Sequence, residues 1–218
     1  NNDEYAVILE DDTSIDLMKL WDEDLPDLIK KIEEDWDIIQ LSNSNRYIDI
    51  NNDNIVTKWN KHMWGTYSYL ISRKGMEKIL SIMYINDTIV LNKDSAPKGS
   101  ADTLLFHPVN TISLNIPLFF TKNYKTTIHN TSENDRLAEL SSIAIMKYYI
   151  NNINYVSKPT KDLVLKNVSA NKNIEEILPG INAILYININ HRTDRKQRIE
   201  KTFRTLGVPE NKLIHVEA

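Results

Sequence analysis

The chain has 218 residues, of which 41% are hydrophobic and 26% are charged, the composition of a folded globular chain rather than a disordered or collagen-like one. Its 30 acidic and 26 basic residues give a net charge of -4, which argues against a protein that neutralises a nucleic-acid backbone. It has no cysteine, so disulfides, thiolate catalysis and zinc–cysteine sites are excluded, and any metal must bind oxygen or imidazole. No uncharged stretch is long enough to cross a bilayer, and the first residues are neither basic nor apolar, so we expect no membrane span and a cytoplasmic location.

The first predicted element is a buried strand with acids at its carboxyl end. An apolar run over residues 5–9 stops abruptly at Glu10-Asp11-Asp12. In open α/β sheets, ligands bind at the carboxyl ends of the strands, so this edge is the first candidate site. Periodicity and turn residues then predict a helix over 17–34, a strand over 36–41 and a hairpin made of 47–50 and 55–59.

The middle of the chain is predicted to form a strand-to-helix unit followed by shorter elements. The pattern predicts a strand over 66–71, an amphipathic helix over 75–83, a short helix or turn over 102–106, an extended segment over 111–120 interrupted by Pro117, and a helix over 135–149. The four tryptophans fit core or hairpin packing better than a platform for sugars.

The carboxyl-terminal part begins a new β-α-β pattern. Residues 151–178 are polar and weakly periodic, which predicts a linker. A strand over 183–189, an arginine-rich helix over 193–206 capped by Gly207, and a strand over 213–216 follow. We therefore divide the chain into a region of residues 1–150, a linker of 151–178 and a β-α-β unit of 179–218.

Two motifs carry the candidate chemistry, and each has a plainer interpretation. The carboxylates of Glu10-Asp11-Asp12 can hold a hard divalent cation, or the triplet can be an acidic loop or helix cap. The stretch from Asn188 to Arg195 opens a helix with two arginines in its first turn, which suits a diphosphate. Its alternative is a solvated helix face with Asp194 paired to Arg198.

Further along the chain, an acid and two histidines are candidates for supporting roles. Asp102 can act as a general base, and His129 can complete a metal site. His107 is a similar candidate, although an isolated histidine is more often an ordinary surface residue.

Together these stretches resemble glycosyltransferase family 25. Residues 5–12 resemble the strand and acidic metal motif of that family, residues 65–75 its tyrosine-rich strand and helix start, residues 101–105 its following acidic segment, and residues 187–195 its opening Asn/Arg motif. The resemblance implies an α/β fold of GT-A-like, Rossmann-related type, with a mixed sheet flanked by helices. It also implies transfer of a sugar from a nucleotide sugar with inversion, helped by Mn²⁺.

The resemblance also implies roles for individual residues. Glu10, Asp12 and His129 would hold the metal, Asp102 would be the catalytic base, and the donor would be bound by Asp11, Asn188, Arg192 and Arg195. The partners would be a nucleotide sugar, with a UDP-sugar expected, and a glycan or protein hydroxyl as acceptor, without nucleic acid.

The order of the motifs departs from the family, because the opening motif lies here at the carboxyl end. Residues 179–218 could begin a second domain, which is the arrangement we expect, or could complete the sheet of a rearranged single domain. In a separate domain, the exposed apolar strand would favour association into a homo-oligomer. The leading hypothesis is a metal-dependent glycosyltransferase, and the alternative is a non-catalytic scaffold or glycan-binding module of the same fold.

Overall fold

The computed structural model describes residues 4–21, 23–44, 54–90, 100–121, 140–146, 148–149, 183–205 and 207–217. In this part the strands are β1 (Tyr5–Glu10), β2 (Thr13–Ser14), β3 (Ile38–Gln40), β4 (Val56–Lys58), β5 (Ser68–Ser72), β6 (Tyr84–Ile85), β7 (Thr88–Ile89), β8 (Thr111–Leu114), β9 (Phe120–Thr121), β10 (Ile184–Asn188) and β11 (Leu213–Glu217). The helices are α1 (Leu25–Lys30), α2 (Arg73–Met83), α3 (Ala101–Phe106) and α4 (Thr193–Thr205), with 3-10 turns at Asp16–Leu20 and Glu210–Lys212. Residues 140–146 and 148–149 are also helical.

A mixed sheet is the centre of the fold. Its strands in the described part follow the order β11-β10-β1-β5-β3-β8-β4. β10 lies parallel to both β11 and β1, and β3 lies parallel to β8, whereas β5 and β4 run antiparallel to their neighbours. The expected α/β class with a mixed sheet flanked by helices is therefore confirmed.

A hydrophobic core lies on each face of the sheet. Because successive side chains of a strand point to opposite sides, one strand contributes to both cores. In β1, Val7 and Leu9 belong to the core beneath α1 and α4, whereas Ile8 belongs to the core beneath α2 and α3. β10 alternates in the same way, with Ile184 and Tyr186 in the first core. This explains why these strands read as continuous apolar runs in the sequence.

The carboxyl-terminal unit is part of the same sheet. Val7 of β1 pairs with Ile184 of β10, and the register continues to Glu10 and Ile187. The expectation of a separate second domain is therefore wrong in its arrangement, because β10 provides the partner that the open edge of β1 requires. The linker predicted over 151–178 lies outside the described residues, and the boundaries of the three regions stay predictions.

The predicted helix over 17–34 is replaced by two short elements. Asp24 caps α1 by accepting a hydrogen bond from the Asp27 amide at 2.8 Å, and Pro26 occupies the first turn. Proline is favoured at such a start and disfavoured inside a longer helix, so the chain begins a new helix here. The predicted strand over 47–50 lies outside the described residues; Val56–Lys58, from the other half of that hairpin, pairs with β8.

Gly207 ends α4 as the sequence predicts. Its φ of 78° is left-handed, its amide donates to the Arg204 carbonyl, and the amide of Val208 donates to the carbonyl of Phe203. This hydrogen-bond pair is a Schellman motif, and Val208 and Phe203 are both buried beside it.

Asp37, just before β3, forms an ion pair and hydrogen bonds with residues of the neighbouring elements. The carboxylate of this fully buried residue pairs with Lys78 at 2.6 Å and accepts the Asn110 amide at 2.9 Å. The Asp37 carbonyl accepts the Ser72 amide at 2.9 Å, so one residue joins α2, β5 and the turn before β8.

No helix among the described residues is long and apolar enough to cross a membrane.

Candidate functional site

The acidic triplet and the arginine-rich helix meet at one edge of the sheet. β1 and β10 are parallel neighbours, so Glu10 and Asn188 end adjacent strands at the same edge. After β10 the chain turns, with the Arg192 amide donating to the Ile189 carbonyl, and enters α4. The site is built from elements that are far apart in the sequence but adjacent in the sheet.

Asp11 and Arg195 form an ion pair across this edge. The Nη1 of Arg195 lies 3.1 Å from the Oδ1 of Asp11, and the two side chains are only 13% and 12% exposed. An ion pair shielded from water to this extent is screened less than a surface pair. The contact places the start of α4 directly against the acidic triplet.

Glu10 lies in a protected environment beside the chain that leads into β5. Its Oε1 accepts a hydrogen bond from the Thr66 hydroxyl at 2.6 Å. Burial, with smaller contributions from Asp12, Asp102 and Asp11, raises the pKa of Glu10 to about 7, although the Thr66 hydrogen bond opposes this shift. Glu10 therefore keeps its proton to a higher pH than an exposed glutamate does.

Asp102 is held by the residue that precedes Thr66. The Gly65 amide donates to its Oδ1 at 2.5 Å, and burial raises the pKa of Asp102 against the effect of that hydrogen bond. Gly65 has a φ of 120°, a conformation that favours glycine. The consecutive residues Gly65 and Thr66 thus hydrogen-bond Asp102 and Glu10 respectively. The charge of Asp102 contributes to the raised pKa of Glu10.

Asp12 combines burial with an unsatisfied oxygen. Its Oδ1 is buried and, among the described residues, has no hydrogen-bond partner. Burial and the neighbouring Asp11 raise the pKa of Asp12, while Arg195 and Arg198 lower it. A small cavity of about 20 Å³ lies next to it, between the triplet and the face of α4 that carries Arg198 and Thr202. That volume holds about one water molecule or ion and no nucleotide.

Asn188 is a second buried side chain with an unused acceptor. It is 1% exposed, and its Nδ2 donates to the Ile189 carbonyl at 3.0 Å. Its Oδ1 finds no hydrogen-bond partner in the described part of the chain. Buried polar atoms in native proteins are nearly always paired, so this oxygen is an unused hydrogen-bond acceptor at the end of β10.

Arg192 is placed differently from Arg195. Its guanidinium makes two 3.0 Å hydrogen bonds to Asp194, a bidentate pair on the exposed start of α4. Arg192 lowers the pKa of Asp194 to about 2. The alternative interpretation paired Asp194 with Arg198; the structure instead shows the pair with Arg192, and Arg198 lines the cavity beside Asp12.

In the described part of the chain, no three carboxylate or histidine side chains come together as a metal-binding group. His129 lies outside the described residues, so its proposed role in the metal shell stays a prediction. His107 ends α3 and lines a groove with Trp59.

Sequence reasoning did not identify Arg198 and Thr66 as residues of the site, and it named Arg198 only as an ion-pair partner of Asp194. Arg198 follows Arg195 by three positions, a spacing that puts both on one face of a helix and could have revealed it. Thr66 had no such signal, because its contact with Glu10 depends on the pairing of β5 with β1. Comparisons of the chain with protein-family models, curated proteins and solved structures found no match.

Proposed function

We propose that the chain is a metal-dependent glycosyltransferase that takes a sugar from a nucleoside diphosphate sugar. The observation that carries the proposal is the meeting of the acidic strand end with the basic helix start, through Asp11 and Arg195. Carboxylates bind a divalent cation and arginines bind a diphosphate, and this edge of the sheet supplies both kinds of side chain next to each other.

The donor set suits a cation that is shared with a ligand. Asp12 offers a buried carboxylate oxygen without a hydrogen-bond partner among the described residues, and Glu10 lies within its electrostatic reach. Mg²⁺ and similar hard cations are commonly held by one or two carboxylates together with substrate phosphates, so a three-residue protein cage is not required. When bound, such a cation would stabilise the negative charge of the departing nucleoside diphosphate.

The other residues would bind and orient the donor. Arg195 and Arg198 place positive charge beside Asp12, where the diphosphate would lie. The Oδ1 of Asn188 would accept a hydrogen bond from a hydroxyl of the donor. Asp102 would receive the proton of the acceptor hydroxyl, held in place by the Gly65 amide.

The alternative function is a scaffold or glycan-binding module without catalysis. The observation that favours it is the volume beside Asp12, about 20 Å³, which leaves no room for a nucleotide unless side chains move. Arg192 and Arg195 are already engaged by Asp194 and Asp11. Binding of a donor must therefore open these ion pairs.

Calorimetry with UDP and Mn²⁺ separates the two functions. A transferase should bind UDP in the presence of Mn²⁺ and much more weakly with EDTA, and should hydrolyse or transfer from UDP-sugars. Absence of both binding and turnover with UDP, GDP, ADP and CMP sugars would leave the non-catalytic function.

Asp12→Asn provides the sharpest variant for this assay. The amide keeps the size of the side chain but removes the charge, so Mn²⁺-dependent UDP affinity should fall at least about tenfold. Asp27→Asn, an exposed acid of α1, is the matched control and should bind as the unaltered chain does. Unchanged affinity in Asp12→Asn would assign the triplet to a cap or loop role.

A further inference from the structure

Trp64 differs from the other three tryptophans in its surroundings. The sequence predicts core or hairpin packing for the tryptophans, and this is confirmed for Trp21, Trp36 and Trp59, which lie in or against the two cores. Trp64 belongs to neither core and is 43% exposed. Single exposed apolar side chains are common on protein surfaces, so exposure alone indicates no site. The feature that distinguishes Trp64 is its position beside Asp102.

Trp64 immediately precedes the glycine that holds Asp102. The Gly65 amide nitrogen lies 2.5 Å from the Oδ1 of Asp102. This nitrogen is bonded to the carbonyl carbon of Trp64, so the Cα of Trp64 lies within about 5 Å of the same oxygen. The residue after Gly65, Thr66, donates its hydroxyl proton to Glu10. Three consecutive residues therefore join an exposed indole to two acids of the candidate site.

The backbone that carries the indole is fixed by hydrogen bonds on both sides. The Ser44 amide donates to the Trp64 carbonyl at 2.7 Å. The side-chain amide of Gln40, a fully buried residue, donates to the carbonyls of Met63 and Gly65 at 3.2 and 2.8 Å. Binding a ligand against Trp64 therefore costs little additional backbone entropy, because this segment is already ordered.

The combination of an indole and two carboxyl groups suits a neutral sugar ring. An indole provides a broad apolar face, and carboxylate oxygens accept hydrogen bonds from hydroxyl groups. A pyranose matches both, because its C–H groups form an apolar face and its hydroxyls surround the ring. An anionic ligand is disfavoured here, because Asp102 and Glu10 would repel it when they are ionised.

We propose that Trp64 stacks against a pyranose ring of the acceptor and thereby brings one of its hydroxyls to Asp102. The assignment to the acceptor rests on the proposed glycosyltransferase function, whereas the binding of a sugar does not. The acceptor would thus be a glycan rather than a hydroxyl side chain of a protein. Trp64 is a positioning residue, because it binds the ring and takes no part in proton transfer.

Sugar binding is tested on the full chain without metal or nucleotide. Methyl glycosides of galactose, glucose, mannose and N-acetylglucosamine are titrated and followed by saturation-transfer NMR. Saturable binding of at least one is expected, and Trp64→Leu, which keeps an apolar side chain without a flat ring, should weaken it at least about tenfold. Trp64→Phe keeps a ring and should retain most of the affinity. Leu80→Ala, exposed on α2, is the control and should bind normally.

Two results would overturn the sugar site. One is non-saturable binding of all four glycosides, and the other is equal affinity in Trp64→Leu and the unaltered chain. Because Trp64→Leu and Trp64→Phe both keep an apolar side chain, a loss confined to Trp64→Leu reports the flat ring and not a general disturbance of the fold.

The acceptor assignment is tested by turnover with a UDP-sugar and the glycoside that binds. Trp64→Leu should raise KM for the glycoside at least about tenfold, with a smaller fall in kcat, and should leave UDP affinity within about twofold. An unchanged KM would overturn the assignment, and a comparable loss of UDP affinity would instead place the nucleobase on the indole. Sugar binding without Mn²⁺-dependent UDP binding would overturn the proposed function but not the sugar site. UDP binding without sugar binding would overturn only this inference.

Discussion

Glu10 shows how burial changes the chemistry of a single carboxyl group. The Thr66 hydrogen bond stabilises the charged form, but desolvation and three nearby acids favour the neutral form and prevail. A carboxyl whose folded-state pKa lies above its unfolded value binds more protons in the folded state between those two values. Its contribution to stability is therefore lost as the pH rises through that window.

The chain without metal should become less stable between pH 4.5 and about 7 because of Glu10. A shift from 4.5 to about 7 corresponds to about 3 kcal/mol in the free energy of unfolding. Glu10→Gln imitates the neutral form, so its loss of stability over this range should be smaller by about that amount. Urea unfolding at pH 5 and pH 8 in EDTA measures the difference. An identical pH dependence in both chains would show that Glu10 ionises freely in the folded state.

A substitution of Asp102 should lower turnover without changing the affinity for the donor. Asp102→Asn can still accept the Gly65 amide but cannot take up a proton, so turnover should fall by roughly two to four orders of magnitude. Affinity for UDP and Mn²⁺ should stay within about twofold, because the site of the donor is built from other residues. Parallel losses of affinity and turnover would identify Asp102 as a structural residue of this segment.

At the scale of elements, strands with apolar runs were predictable and very short strands were not. β3 and β10 fall within the predicted segments, and β1 and β5 exceed theirs by one residue at the carboxyl end. Each contributes to a core on both faces of the sheet and therefore leaves an apolar signal in the sequence. β2 and β9 have two residues each and pair only with one another. Two residues carry no periodicity, so such a pairing cannot be derived from the sequence.

The β6–β7 hairpin was also missed, for a different reason. Its turn residues Asn86 and Asp87 have φ values of 51° and 57°, which Asn and Asp tolerate better than other side chains. The flanking strands are exposed and only two residues long, so the alternation that would have predicted them is absent.

The close packing of α2 on β3 leads to a prediction about Gly75. A Cβ at this position would lie 2.4 Å from the Asp37 carbonyl oxygen, which belongs to the anchored start of β3. Gly75→Ala should therefore destabilise the chain by about 1–3 kcal/mol, whereas the same change in an exposed helix stabilises it by about 1 kcal/mol. Thermal or urea unfolding measures the sign. Ser81→Ala, exposed on the same helix, serves as the control, and a stabilising Gly75→Ala would contradict the close contact.

At the scale of the molecule, the placement of the carboxyl-terminal unit decides whether a site exists. The sequence predicted a strand that ends at the acidic triplet and a helix that starts near Thr193, and the structure shows both. That the two belong to one sheet was only the less favoured of two alternatives. Pairing of residues 7–10 with 184–187 is a long-range contact, and a single sequence carries no local pattern that specifies it. Arg195 therefore looked distant from Asp11, with which it forms an ion pair.

This arrangement predicts that the two parts unfold together. Phe203 on α4 is fully buried in the core against the sheet, and its truncation to Ala should cost about 3–5 kcal/mol. All four tryptophans lie between residues 21 and 64, so their fluorescence reports on the other part of the chain. In Phe203→Ala the tryptophan transition in urea should move to a lower midpoint. A tryptophan transition that stays in place would show that residues 183–217 unfold independently.

The central position of β1 also determines how a newly made chain must acquire its fold. β1 is synthesised before its parallel neighbour β10, which ends at Asn188, about 180 residues later in the chain. At about 5–20 residues per second, β1 waits on the order of ten seconds or longer on the ribosome before that neighbour exists. During this interval its open apolar edge is available to chaperones or to the same strand of another nascent chain. Slow final closure of the sheet, and sensitivity of the yield to translation speed and chaperone supply, follow from the strand order alone.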